Sequence, residues 1–144
     1  MKKPKKKIYE LHSMEQIVEQ RRTFVEEQGF TQLKDTQSVE TFFDQDGPKI
    51  LFVNSVCGCA ASILPALESI MDDSVLLGTV FAGQDDEATN HARSRMEDYA
   101  PSSPNVTFLK DGDVLSRIDR ADIMKNDPET LESMIEDGIE EIKQ

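Results

Sequence analysis

Positive charge is scarce in this 144-residue chain. Sixteen Lys and Arg stand against 28 Asp and Glu, for a net charge of −12. That balance argues against nucleic acid or an anionic membrane as a partner, since both require basic surface. Five of the cations are Lys2, Lys3, Lys5, Lys6 and Lys7. Residues 1–12 therefore read as a basic flexible tail, and a nucleic-acid arm fits poorly on so acidic a body. Long apolar runs are missing as well. The longest contain Asn54 and Gly78 and are strand-sized, too short to span a bilayer. No apolar segment of the secretory kind follows the lysines, so the expected location is cytoplasmic, where structural disulfides are rare. Asn105-Val106-Thr107 matches a glycosylation sequon and in that compartment reads as chance.

Cysteine is scarcer still. The chain has two, Cys57 and Cys59, separated by one glycine in "VNSVCGCAAS" (53–62). A staple between them would constrain almost nothing, because a disulfide stabilises chiefly by closing a long loop. Their purpose reads as chemical, with two inert, buried cysteines as the lesser reading.

What is present suffices for one modest core, with 38% apolar residues and seven Phe. Residues 13–144 read as a single domain. Ser13, with Gln16 three residues on, has the form of a capping box. Met14, Ile17, Val18, Phe24 and Val25 recur at helical spacing until Gly29. A short helical piece over 37–45 presents Val39, Phe42 and Phe43. "KILFVNSV" (49–56) and "SVLLGTVFAG" (74–83) read as buried strands. Between them Ile63, Leu64, Leu67, Ile70 and Met71 form one helical face. Ala88, Ala92, Met96 and Tyr99 mark a further helix after an acidic start. "NVTFLK", "DG" and "DVLSRI" (105–118) spell a hairpin, and Asp127-Pro128 opens a last helix as N-cap and N1. The expected fold class is α/β, with two strand–helix–strand crossovers and a hairpin giving a central mixed sheet flanked by helices.

Cys57 falls at the carboxyl end of a strand and the amino end of a helix, where α/β sheets place their sites. Unpaired helix amides and the positive dipole end favour a thiolate, so Cys57 should titrate below a free cysteine. Gly58 lets the backbone bend so that Cys59 can reach its neighbour. A disulfide between residues i and i+2 closes a very short ring, which suits exchange better than permanence. Cys57, more open to approach, is the expected attacking sulfur, and Cys59 the second. A Cys-x-Cys site for zinc or Cu(I) is the alternative, but only His12 and His91 could add imidazole, and both occupy polar helical contexts. Ser55, Ser62, Ser102 and Ser103 have neither a base partner nor nucleophile-elbow glycines, which argues against a serine hydrolase.

The pattern resembles the thioredoxin fold, with an extra helix at the N-terminus. Pro65, eight residues after Cys57, stands where thioredoxins kink their active-site helix. "PNVTFLKDG" (104–112) is similar to the segment that begins at their cis-proline, so the resemblance implies a cis Ser103–Pro104 bond. Val56 replaces the usual tryptophan, and Leu51 stands where thioredoxin has a buried acid; both departures weaken the case for a general protein reductase or isomerase.

"VNSVCGCAA", "VFAGQDDEAT" and "APSSP" resemble the bacilliredoxins more closely, a thioredoxin-like family with a Cys-Gly-Cys centre. That resemblance implies removal of bacillithiol, or a similar low-molecular-weight thiol, from S-thiolated protein cysteines. In it Cys57 is the attacking thiol and Cys59 the resolving one, while Gly58, Ser103 and Pro104 meet the substrate. No bound cofactor or metal is implied, and the small thiol serves as redox co-substrate. A thioredoxin-fold metal-binding or thiol-sensing module and a general protein disulfide reductase or isomerase remain the competing readings.

Overall fold

The chain runs α1 (Lys2–Glu27), β1 (Thr31–Gln32), α2 (Thr36–Asp44), β2 (Pro48–Asn54), α3 (Ala60–Leu67), β3 (Leu76–Phe81), α4 (Asp86–Ser94), β4 (Asn105–Lys110), β5 (Asp113–Ile118), α5 (Arg120–Lys125) and α6 (Pro128–Lys143). The computed structural model describes the backbone of residues 2–70 and 72–144, and side chains from residue 14 onward apart from residue 71. Helix α1 extends N-terminally of the start expected at Ser13. The side chains of residues 2–13, including that cap and the lysines of the expected tail, lie outside the described residues.

The five strands lie in the order β1-β3-β2-β4-β5. β1 and β2 both run parallel to β3, whereas β4 runs antiparallel to β2 and β5 antiparallel to β4. The sheet is mixed, as the sequence predicts, but its second parallel crossover is β1–α2–β2. The expected crossover through α4 instead returns the chain antiparallel to β2. The DG turn forms the hairpin, with Asp111 at φ 57° and a register shift between Phe108 and Leu109.

Strand β2 explains the layering. Ile50, Leu51, Phe52 and Val53 are each at most 1% exposed, and alternate residues feed opposite cores. Ile50 and Phe52 pack with Val25, Ile63, Leu67, Phe108, Leu131 and Ile135. Leu51 and Val53 pack with Val39, Phe42, Phe43, Ala88, Ala92 and Met96. Burying each such side chain contributes about 1.5–3 kcal/mol. Helices α1, α3 and α6 thus cover one face, and α2 and α4 the other.

Lys49 is fully buried in this same strand. Its Nζ donates to the carbonyls of Phe42 (3.0 Å), Phe43 (2.7 Å) and Gln45 (2.6 Å). These close the C-terminal end of α2, where a cation is favoured. Burial lowers the pKa of the ammonium from its ordinary value.

Side-chain caps begin α2, α5 and α6. Asp35 accepts from Ser38 N and Asp119 from Asp122 N, each in a reciprocal capping box. Asp127 accepts from Thr130 N at 2.8 Å, with Pro128 next to it.

Gly138 lets α6 lie against β4. A Cβ there would stand 2.5 Å from the ring of Phe108, which is 1% exposed and has nowhere to move. Gly138→Ala should therefore lower stability by about 1–3 kcal/mol despite alanine's better helix propensity, read from the urea midpoint. A second prediction concerns Asp72, just past α3, which pairs with Lys143 of α6. Lys143 first, then Ser74, hold its pKa at about 2 instead of 3.8. The contribution of this pair is complete above the unfolded value and lost as pH falls through the folded one. Asp72→Asn should flatten the acid limb of stability between about pH 4 and 2, measured as urea midpoints against pH.

Candidate active site

Asn54 ends β2, and the next five residues turn the chain into α3. Cys57 and Cys59 are disulfide-bonded, with Cα atoms 5.4 Å apart. Both are half-buried, with Gly58 exposed between them, so burial class alone does not separate the sulfurs. Cys59 is the N-cap of α3, and the helix begins only at Ala60. The amides of Ala60, Ala61 and Ser62 donate to the carbonyls of Cys57 (3.1 Å), Gly58 (3.1 Å) and Cys59 (3.2 Å). The helix amides that the sequence offered to a thiolate are thus engaged by backbone carbonyls. Pro65 lies within α3, as expected.

The loop is held from two sides. The Asn54 side chain, 1% exposed, accepts from Ser55 N at 2.9 Å and donates to the Arg21 carbonyl at 3.4 Å. The Ser55 hydroxyl accepts from Cys57 N at 3.2 Å. From α1, Arg21 Nη1 donates to the carbonyls of Ser55 at 2.6 Å and Cys57 at 3.4 Å. Arg22 turns the other way. It pairs with Asp85 at 2.9 Å, donates to Gln32 Oε1 and stacks 4.9 Å from the Phe81 ring centroid. Adjacent arginines therefore fasten the loops that follow β2 and β3 to one helix.

The Ser103–Pro104 bond is cis. Asn105 pairs with Val53 in the antiparallel β2–β4 ladder, which puts Pro104 beside the end of β2, at the edge that carries Cys57. Pro104 is buried and Ser103 half-buried. Their loop is tied down by Asn105 Nδ2 donating to the Ser102 carbonyl at 2.7 Å, Arg120 N donating to Ser102 Oγ at 3.0 Å, and Arg117 Nη1 donating to the Ala100 carbonyl at 2.9 Å. The sheet thereby gathers Cys57, Gly58, Cys59, Ser103 and Pro104 at one end.

His91 is engaged on another helix. His91 Nε2 meets Glu40 Oε1 at 2.5 Å, and the His12 side chain lies outside the described residues. No group of three or more His, Cys, Asp or Glu able to hold a metal occurs among the described residues.

Sequence reasoning missed Arg21, Arg22 and Asp85. Asp85 was legible only as an acidic helix start, yet as N-cap of α4 it makes no side-chain cap bond and its carboxylate goes to Arg22. For Arg21 a trace exists. The apolar stripe Met14, Ile17, Val18, Phe24, Val25 skips one position of its own period, and Arg21 occupies it.

Comparison with known proteins agrees with this geometry. The family model described as "Disulphide isomerase" matches residues 13–142. Bacilliredoxins from two strains of Staphylococcus aureus are 44% identical over 118 residues, which cover 79% of this chain and 81% of theirs. Among solved structures, oxidized thioredoxin O2 from Arabidopsis thaliana superposes with a TM-score of 0.58 at 18% identity, over 75% of this chain and 92% of that one. Mitochondrial thioredoxin 3 from Saccharomyces cerevisiae gives 0.54 at 18% identity, over 76% and 95%. With a thioredoxin fold and its only two cysteines bonded at the end of β2, the chain belongs to the bacilliredoxin family and is a thiol–disulfide oxidoreductase.

Proposed function

We propose that the protein releases bacillithiol, or a closely similar low-molecular-weight thiol, from mixed disulfides on protein cysteines in the cytoplasm. The observation that carries this reading is the Cys57–Cys59 disulfide beside the cis-proline loop, in a chain 44% identical to bacilliredoxins. The Cys57 thiolate attacks the small-thiol sulfur of the substrate. The substrate S–S bond breaks, and the protein cysteine leaves as a thiolate that takes a proton from water. Cys57 then holds the small thiol in a mixed disulfide. The Cys59 thiolate attacks the Cys57 sulfur, expels the small thiol, which is protonated in turn, and forms Cys57–Cys59. Two electrons have passed from the dithiol to the substrate, and a thiol reductant must return them.

Thiolate character and access decide which sulfur attacks. Cys57 precedes the helix, and its amide and carbonyl are fixed by Ser55 and Arg21. Cys59 closes the turn into α3. Ser103 and Pro104, at the same end of the sheet, are positioned to offer backbone groups to the substrate chain.

Intact-mass analysis tests the assignment. A protein carrying a bacillithiol mixed disulfide is mixed with reduced wild type, Cys57→Ser and Cys59→Ser. Cys59→Ser should take one adduct and retain it, Cys57→Ser should leave the substrate modified, and wild type should free the substrate. Equal performance by Cys57→Ser would reverse the roles. Activity only on a glutathione mixed disulfide would overturn the bacillithiol assignment and leave the exchange chemistry intact. Elemental analysis of the freshly purified, reduced protein should find no stoichiometric zinc or copper. One metal per chain or per two chains would restore the metal-site reading of the Cys-x-Cys pair.

A further inference from the structure

Arg21 stands where the packing of α1 calls for an apolar residue. Its neighbours at helical spacing are Ile17, Val18, Phe24 and Val25, so no carboxylate on α1 is placed to neutralise it. Among the described residues it takes part in no salt bridge, whereas Arg22 pairs with Asp85. Its Nη1 reaches the carbonyls of Ser55 at 2.6 Å and Cys57 at 3.4 Å. The helix returns the contact, because the Arg21 carbonyl accepts from Asn54 Nδ2 at 3.4 Å.

We infer that Arg21 is a positioning residue for Cys57, fixing the loop that carries the sulfur and supplying the positive charge that favours its thiolate. This rests on the reading of Cys57 as the attacking sulfur. The guanidinium is half-buried, and burial draws its pKa below the ordinary arginine value, which still leaves it cationic throughout the physiological range. The contact at 3.4 Å to the carbonyl of the cysteine itself brings the cation to the residue that carries the sulfur, and a nearby opposite charge favours the ionised form of a thiol. The need is real, because the amides of Ala60, Ala61 and Ser62 are already engaged.

Among the described residues no other element is seen to bring a cation to the Cys57 backbone: Arg117 of β5 is spent on Thr107 Oγ1, the Ala100 carbonyl and the Tyr99 ring. α3 has no ionisable side chain from Ala60 to Leu67, and the loop Ser102–Pro104 has none. Asp85, from the loop after β3, is matched by Arg22. On α5, Arg120 is exposed, Asp122 accepts from the Asp119 amide, and Lys125 lies 3.9 Å from Asp122.

The test measures alkylation of reduced Cys57 by neutral iodoacetamide against pH, in the Cys59→Ser background, so that one thiol is read. Arg21→Leu removes the charge yet fits the apolar stripe, and so should fold. Arg21→Lys keeps the charge without the guanidinium fork. Arg21→Leu should move the midpoint upward and slow alkylation at pH 7 about threefold or more, with the limiting rate at high pH unchanged. Arg21→Lys should recover most of the pH 7 rate. An unmoved midpoint in Arg21→Leu, whatever happens to its urea midpoint, would reduce Arg21 to a structural tie. An equal rise in both variants would overturn the role of charge. Because no disulfide substrate is used, failure of bacillithiol release would leave this measurement readable, and release with an unshifted midpoint would sink only the role of Arg21.

Discussion

Strand β2 is hydrogen-bonded on both edges and buried on both faces, and every part of the site is placed relative to it. Its carboxyl end delivers the cysteine loop. Its antiparallel partner β4 begins at the same end and so brings the cis-proline loop alongside. Its parallel partner β3 ends there too, which sets Asp85 within reach of α1. A one-residue slip of β2 would turn Ile50 and Phe52 toward the wrong helices and displace all three loops together. The site geometry is thus protected by the same burial that stabilises the fold.

Two cations mark the two ends of this strand and play different parts. Lys49 lies near its start, spends its three donors on the last carbonyls of α2, and is wholly enclosed. Arg21 approaches from α1 at the far end and keeps contact with the surface. An enclosed ammonium with all its donors matched is an element of architecture. A half-open guanidinium beside a reactive sulfur can also act on chemistry, since its charge is not cancelled by a carboxylate. Leu51, where the resemblance to thioredoxin would put a buried acid, packs in the core over α2 and α4.

Much of this was legible from residue order. β2, the β4–β5 hairpin and α6 announce themselves through an apolar run, a DG turn and an Asp-Pro start, each of which acts locally. The thiol pair and the cis-proline loop were legible because few other uses exist for two cysteines so spaced, and because Pro65 and Pro104 keep the thioredoxin spacing. β1 was hidden: two residues carry no periodicity, and Thr31–Gln32 becomes a strand only by pairing with Gly78 and Thr79. α5, six residues long, was lost for the same reason. Arg21 and Asp85 were hidden by distance, since their partners lie 34 and 63 positions away.

The outer strands have a consequence for association. Open sheet edges invite pairing with other chains. On one side β1 offers only two residues. On the other, β5 follows a register shift at Phe108/Leu109 and carries Asp113 and Arg117 along its length. Neither edge is a good template for a foreign strand. Any chain that meets this protein is thereby held to contact through loops and side chains rather than through strand addition at the rim of the sheet.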